Sequence, residues 1–400
     1  MSGAGVGAWG RCMLLLGALT LLTGCWDKNE LTAWGFVQAV AIDLTESGGF
    51  RVTTQIYRPG ASESRSDTSS SGKSFVTLTS EASTISQAAG QIAAQLGRNL
   101  QWSHMRALLL GEEAALNRNI GEILDFFSRS QGLRGSAFVM TTEGLANRYL
   151  LINPLIENTI GQQLKTVERL SSLQAGASTA LSLINLEILA QSPGSVTLLP
   201  RLKLLKQQSQ QAAIIDGMNV LRLPPGKIDS GLVPIKFVDN IMMIRGEYKR
   251  GLITLPCPSD GEAGGEAADL FKVGNAKSRL RVVSSGGLPN IKIHLSLQGG
   301  VGELVCSSVL TKAEHDRFVK RLEEKVTSDT LEALEYIQKR KADVLFAGLR
   351  VERWNPRLWK QWRSDWPELF SKAKVSVSVK IDLTTTGMDA GSPLTSQPHP

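Results

Sequence analysis

Val375-Ser376-Val377-Ser378-Val379-Lys380-Ile381 alternates apolar and polar residues without a break. A β-strand turns successive side chains to opposite faces, so this run offers one face to a core and the other to water. The apolar face needs a cover, and the sequence supplies one upstream. Phe318, Leu322, Val326, Leu334 and Ile337 recur at helical spacing within a pattern that spans 312–346. Before it, 280–283 and 291–297 alternate in the same way, followed by 301–306. The last part of the chain is therefore expected to be a sheet carrying a long helix.

Working back to the N-terminus, positions 36–42 and 50–57 are rich in β-branched and aromatic residues and flank the turn Ser47-Gly48-Gly49, a hairpin pattern. Positions 59–74 are Ser-rich with almost nothing to bury, and read as a surface loop. Ile85, Ala88, Ala89, Ile92 and Leu96 predict a helix; 107–110 predict a strand, 112–127 a helix, 137–140 a strand, and 145–190 mostly helix. Lys206-Gln207-Gln208-Ser209-Gln210-Gln211 is a polar break, either a linker or a hairpin tip. A second break, 256–274, is dominated by Gly, Pro, Asp and Glu. Between the two lie short strands punctuated by Gly217, Pro224-Pro225-Gly226 and Gly231. The expected class is α+β, with three domains of mixed or antiparallel sheets and flanking helices. They run 25–206, 207–274 (small and β-rich) and 275–388, with a disordered tail over 389–400.

The first 24 positions read as a lipoprotein signal peptide. Cys12-Met13-Leu14-Leu15-Leu16-Gly17-Ala18-Leu19-Thr20-Leu21-Leu22 is an apolar core shorter than the roughly 20 residues of a permanent span. It closes on Leu22-Thr23-Gly24-Cys25. A lipid transferase needs a thiol just past an apolar segment and beside small residues, and Cys25 meets that need. An ordinary secretory signal is the rival, but an Ala-x-Ala type site does not end the run. Acyl chains on Cys25 would anchor the body to a membrane. The chain has 44 basic and 37 acidic residues, a net charge of +7, and loss of Arg11 with the leader leaves 7 − 1 = +6. That balance is compatible with an anionic membrane face, but the Lys and Arg residues form no dense block of the kind that argues for nucleic acid.

With Cys12 in the leader and Cys25 as anchor, Cys257 and Cys306 remain. An extracytoplasmic compartment permits a disulfide between them, but two lone cysteines so far apart read more readily as buried small hydrophobes. Neither has a second Cys or a His at zinc-ligand spacing, so no metal site is expected. The histidines are His104, His294, His315 and His399, and His294 alternates with Ile291, Ile293 and Leu295 as an outward-facing strand position. Gly72-Lys73-Ser74 ends like a phosphate loop, but Asp67 stands where its first Gly is required. Gly-x-Ser-x-Gly, His-Glu-x-x-His and EF-hand spacings are missing as well, so no catalytic residues and no cofactor are assigned. Half of the eight tryptophans, Trp354, Trp359, Trp362 and Trp366, fall within fifteen residues. Asn355-Pro356 starts a helix there, and Trp359, Trp362 and Trp366 share its face. The stripe reads first as core packing and second as a partner or lipid interface.

Several segments together resemble the Ger(x)C family, the C-subunit lipoproteins of bacterial spore germinant receptors. Cys25-Trp26-Asp27 is similar to the family's mature start, and a strand ending Ala41-Ile42-Asp43 follows it. His104-Met105-Arg106-Ala107-Leu108-Leu109-Leu110-Gly111-Glu112-Glu113-Ala114 resembles a strand-to-helix segment, and Gly217-Met218-Asn219-Val220 the start of the middle part. The C-terminal match consists of Ala342-Asp343, Pro356 with Trp359, Trp366 with Phe370, and the Val/Ser strand ending at Gly387. One departure is Val344-Leu345-Phe346-Ala347-Gly348, where the family tends to carry a Gly-Phe-Gly-like run.

The resemblance implies a non-enzymatic lipoprotein on the outer face of the spore inner membrane. It would work with a polytopic A subunit and a transporter-like B subunit, with membrane lipid held through Cys25 and no nucleic acid as partner. The alternative is a substrate-binding lipoprotein of an importer, which implies two similar lobes with parallel sheets. A cell-surface hydrolase is a third class, disfavoured because no nucleophile motif is present.

Overall fold

The computed structural model describes residues 30–58, 73–130, 135–192, 194–208, 210–223, 226–257 and 267–385. The leader, Cys25, most of the Ser-rich loop and the C-terminal tail lie outside the described residues. Among those residues the strands form two sheets flanked by helices, an α+β protein as its pattern indicated.

The larger sheet contains β1 (Trp34–Leu44), β2 (Phe50–Tyr57), β3 (Phe75–Ala82), β4 (Asn99–Gln101), β5 (Ala107–Leu110), β6 (Phe138–Thr142), β7 (Ser195–Gln207), β8 (Gln210–Leu223) and β9 (Lys227–Pro234). Their order is β3-β2-β1-β5-β6-β7-β8-β9, with β4 on β1. β1, β5, β6 and β7 pair in parallel, and antiparallel hairpins close both edges. Its parallel centre is covered on both faces. One face packs under α1 (Ile85–Leu96), α2 (Glu112–Asn117), α3 (Ile120–Arg129) and α6 (Leu183–Ala190), the other under α4 (Asn147–Leu151) and α5 (Ile160–Ala175). β5 is accordingly a fully apolar Ala-Leu-Leu-Leu run with every residue buried, the mark of a strand covered on two sides.

The second sheet runs β10 (Gly251–Pro256), β11 (Ala268–Ser285), β12 (Leu288–Glu303) and β13 (Lys374–Thr385), in that order. β13 lies parallel to β12 and the other pairs are antiparallel. Its apolar face packs on α8 (Lys312–Lys339), on α7 (Ile235–Arg245) and on the short helices α9 (Ala347–Trp354), α10 (Pro356–Trp362) and α11 (Trp366–Ser371). Thr311 and Glu314 form the capping box that starts α8.

Several expectations change. The helix expected over 112–127 is two, because Asn119 leaves helical geometry and caps α3, its side chain accepting from the Gly121 amide at 2.8 Å. Positions 235–245, expected within a β-rich segment, form α7. Phe237, Val238, Ile241, Met242, Met243 and Ile244 bury nearly its whole circumference between the two sheets, so the sequence shows no one-sided stripe. The long helix ends at Lys339, before 346, and Phe346 adopts a left-handed conformation ahead of α9. The 206/207 boundary falls at the tip of the β7–β8 hairpin, and 274/275 falls inside β11. A polar run marks a hairpin tip as readily as a linker, because either is solvated on both sides.

Cys257 and Cys306, expected as separate buried hydrophobes, are joined by a disulfide with a Cα–Cα distance of 5.8 Å. β10 and the end of β12 both pair with β11, and that register brings the two residues together across 49 positions of sequence.

Candidate functional site

Segments singled out by their family resemblance converge on buried nodes that hold the fold. Asp43, at the end of β1, is 1% exposed and accepts the Ala146 amide at 2.7 Å and the Asn147 amide at 2.9 Å, fixing the start of α4. Burial raises its pKa above the ordinary carboxylate value, and the two amides and Arg51 oppose that shift. Gly111 lies against the same carboxylate; a Cβ there would stand 2.0 Å from Asp43 Oδ1. Gly217 lets β8 approach β9, since a Cβ would come within 2.7 Å of the Val233 carbonyl oxygen. Its neighbour Asn219 accepts the Thr141 hydroxyl at 2.7 Å.

Asp343 forms the C-terminal node. It accepts the Ala347 amide at 3.0 Å, the Gly348 amide at 2.7 Å and the Trp366 indole N–H at 2.9 Å. Burial raises its pKa, the three donors acting in the opposite sense. Gly348 has no room for a side chain, because a Cβ would stand 2.8 Å from both the Trp359 and the Trp366 rings. Trp366 then contacts Trp359, Trp362 and Phe370, with ring centroids 5.4, 6.0 and 6.2 Å away. Trp362 and Trp366 are 6% and 4% exposed, within the core. Trp359 packs against that core from its margin, and Trp354 stands 88% exposed at the end of α9. The four rings therefore do not form one surface.

A third carboxylate, Asp269 on β11, accepts the Val305 and Cys306 amides at 2.7 and 3.0 Å beside the disulfide. All three carboxylates are occupied by donors of their own fold, so they act as clamps between segments.

The exposed chemistry lies on the other face of the second sheet. Its inner face carries Phe271, Val273, Leu280, Ile291, Ile293, Leu295, Leu297 and Ile381. Its outer face is open to solvent. Register places Arg279 opposite His294, Arg281 opposite Lys292 and Lys277 opposite Ser296, while on the far side Ser376, Ser378 and Lys380 align with Lys292, His294 and Ser296. Lys272 joins this face because the bulge between Val273 and Asn275 shifts the alternation by one residue. With Lys374 the face holds seven Lys and Arg side chains, all exposed, against two carboxylates, Asp382, which accepts from Gln298 at 3.4 Å, and Glu303, opposite Leu270 at the end of β12. Arg279, Arg281, Lys292, His294, Ser376 and Ser378 line a shallow depression of about 290 Å³. His294 is exposed, as the alternation predicts, and lies 2.9 Å from the Ser378 hydroxyl. Sequence reasoning missed the patch. Alternation interleaves each cation with an apolar residue, so linear charge counting finds no run, although the pattern Lys277-x-Arg279-x-Arg281 was there to be read.

Comparison with known proteins places these features in a family. Residues 27–204 match the spore germination protein N-terminal domain, and residues 236–387 match the spore germination B3/GerAC-like C-terminal domain. The chain is similar to spore germination protein B3 of Bacillus subtilis (strain 168), with 23% identity over 91% of this chain and 94% of that protein. It is also similar to spore germination protein KC of that organism, with 22% identity over 94% and 95% of the two chains. The crystal structure of the GerBC protein shares the fold, with a TM-score of 0.57 and 19% identity over 86% of this chain and 96% of that one. With 27–204 and 236–387 matched, most of the chain is covered, and the chain belongs to the GerAC family of spore germination proteins, the C-subunit-like proteins of germinant receptors.

Proposed function

We propose that this protein is the lipid-anchored C subunit of a nutrient germinant receptor, acting without enzymatic activity alongside polytopic A and B membrane subunits. The observation that carries the reading is Leu22-Thr23-Gly24-Cys25 at the end of an apolar leader, two residues ahead of the family-matched region that begins at 27. Acylation of Cys25 would hold the body at the outer face of the spore inner membrane. The disulfide supports a location outside the reducing cytoplasm. The importer-type alternative calls for two similar lobes, whereas a mixed sheet with a doubly covered parallel centre here precedes a smaller, mostly antiparallel one with an open face.

The test is to replace Cys25 with Ala and fractionate spores with a high-salt wash. The anchored reading expects the variant to leave the membrane pellet while the parent stays. Retention of the variant after the wash would refute it. Mild-detergent solubilisation of the parent is expected to co-purify two polytopic proteins, and recovery of the chain alone would refute the receptor assignment.

A further inference from the structure

We propose that the open face of the second sheet binds the phosphate headgroups of an anionic lipid leaflet. Seven cations cover one side of three adjacent strands, and among the described residues none is engaged in an ion pair. Elsewhere a number of cations are matched locally. Along α8 alone, Lys312, Lys325 and Lys339 pair with Asp316, Asp329 and Glu335 one turn away. Unpaired cations such as Arg98, Arg148 and Lys227 also stand elsewhere among the described residues, but seven share this one broad surface.

The face fits a leaflet better than an acidic protein. A protein interface is organised around buried aromatic or aliphatic anchors with charge depleted at its centre. Here the centre is Arg279, Arg281, Lys292 and His294, with Ser376 and Ser378 beside them on the edge strand β13, and the exposed apolar side chains Leu252 and Val283 lie on the flanking strand β10 and near the end of β11. Long cationic side chains on a shallow surface reach many phosphates without needing a shaped partner, and each is worth about a fivefold gain in affinity for an anionic surface. A single lipid anchor holds more firmly when a polybasic patch assists it. The inference concerns that second contact and does not depend on the first.

The body from Trp26 onward contains every described element and all three cores, so it serves as the test protein. It lacks Cys25, so failure here leaves the lipid-anchor reading untouched. Sedimentation with phosphatidylcholine vesicles, with and without phosphatidylglycerol, is expected to show binding only to the anionic vesicles and release at high salt. The triple variant Arg279→Gln, Arg281→Gln, Lys292→Gln is expected to lose about a hundredfold in affinity at an unchanged melting temperature. Arg98→Gln, Arg148→Gln, Lys227→Gln removes the same charge from exposed sites outside this sheet and is expected to lose less than about fivefold. The salt titration of the unmodified body reads the same property with no substitution at all. Equal binding to neutral vesicles, insensitivity to salt, or equal loss in the two triple variants would overturn the proposal. So would displacement by polyglutamate at charge concentrations far below those of the vesicles, which would point to an acidic protein.

Discussion

The two sheets solve the same problem differently. The first buries both faces of its central strands, and β5 is apolar throughout. The second buries one face and leaves the other open, so β11, β12 and β13 alternate apolar residues with cations, Ser and Thr. A doubly covered strand has nothing left to offer a partner, whereas an open face can change its chemistry without disturbing the core beneath it. Under the second sheet the family-resembling residues Asp343, Trp359 and Trp366, together with Gly348, sit on the covered side, where they hold the short helices together. The exposed cations sit on the other.

The contrast is sharpest in stability, and Trp362→Ala should show its largest effect. The ring lies in the covered core against Trp366, and its removal is expected to cost roughly 3–5 kcal/mol, read as a lower melting temperature of the body. An unchanged melting temperature would mean that the covered side holds less than its packing indicates. Replacing Cys257 and Cys306 together by Ser opens a bridge across 49 positions, and the chain-entropy model expects a loss of about 4 kcal/mol. Denaturant unfolding with and without reductant checks this; coincident curves would contradict it.

Glu168, on a helix covering the first sheet, supplies a pH-dependent effect. It is fully buried, and burial raises its pKa from 4.5 to about 7 against the Ser178 hydroxyl and the Ala180 amide. Its second oxygen has no hydrogen-bond partner among the described residues. A raised folded-state value means that its contribution is fully present below the unfolded value of 4.5 and is lost as pH rises through about 7. The deficit approaches about 3 kcal/mol at about pH 8. Glu168→Gln should flatten the decline in melting temperature between about pH 5 and pH 8, and a variant that declines as steeply as the parent would rule this out. The smallest effect belongs to the open face. Ser378→Ala is expected to change stability by less than about 0.5 kcal/mol, and a larger loss would mean that the face is structural.

How much the sequence disclosed follows from the same contrast. β2 and β5 match the expected 50–57 and 107–110, because a hairpin strand and a fully buried strand each carry an unmistakable local pattern. The helix start at Asn355-Pro356 was equally legible, and the Asn355 side chain accepts the Leu358 amide at 3.1 Å. α7 was hidden because burial on nearly all sides erases helical periodicity. The disulfide and the basic face were hidden for another reason: both depend on which residue of β11 lies opposite which residue of β10 and β12. Register is a property of strand pairs, and a single run does not state it. The lipid attachment proposed at Cys25 rests on a sequence motif and lies outside the described residues.

The most direct measurement asks which face meets the membrane. In the body from Trp26 onward the remaining cysteines, Cys257 and Cys306, are bridged, so an introduced cysteine is the single free thiol. A fluorophore placed at Ser378→Cys, on the edge strand of the open face beside His294, and another at Ser86→Cys, exposed on α1, would be compared on phosphatidylglycerol-containing vesicles bearing headgroup quenchers. Strong quenching at position 378 with little at 86 is the expected result. Equal quenching at both sites, or stronger quenching at 86, would contradict the assignment of the open face to the membrane.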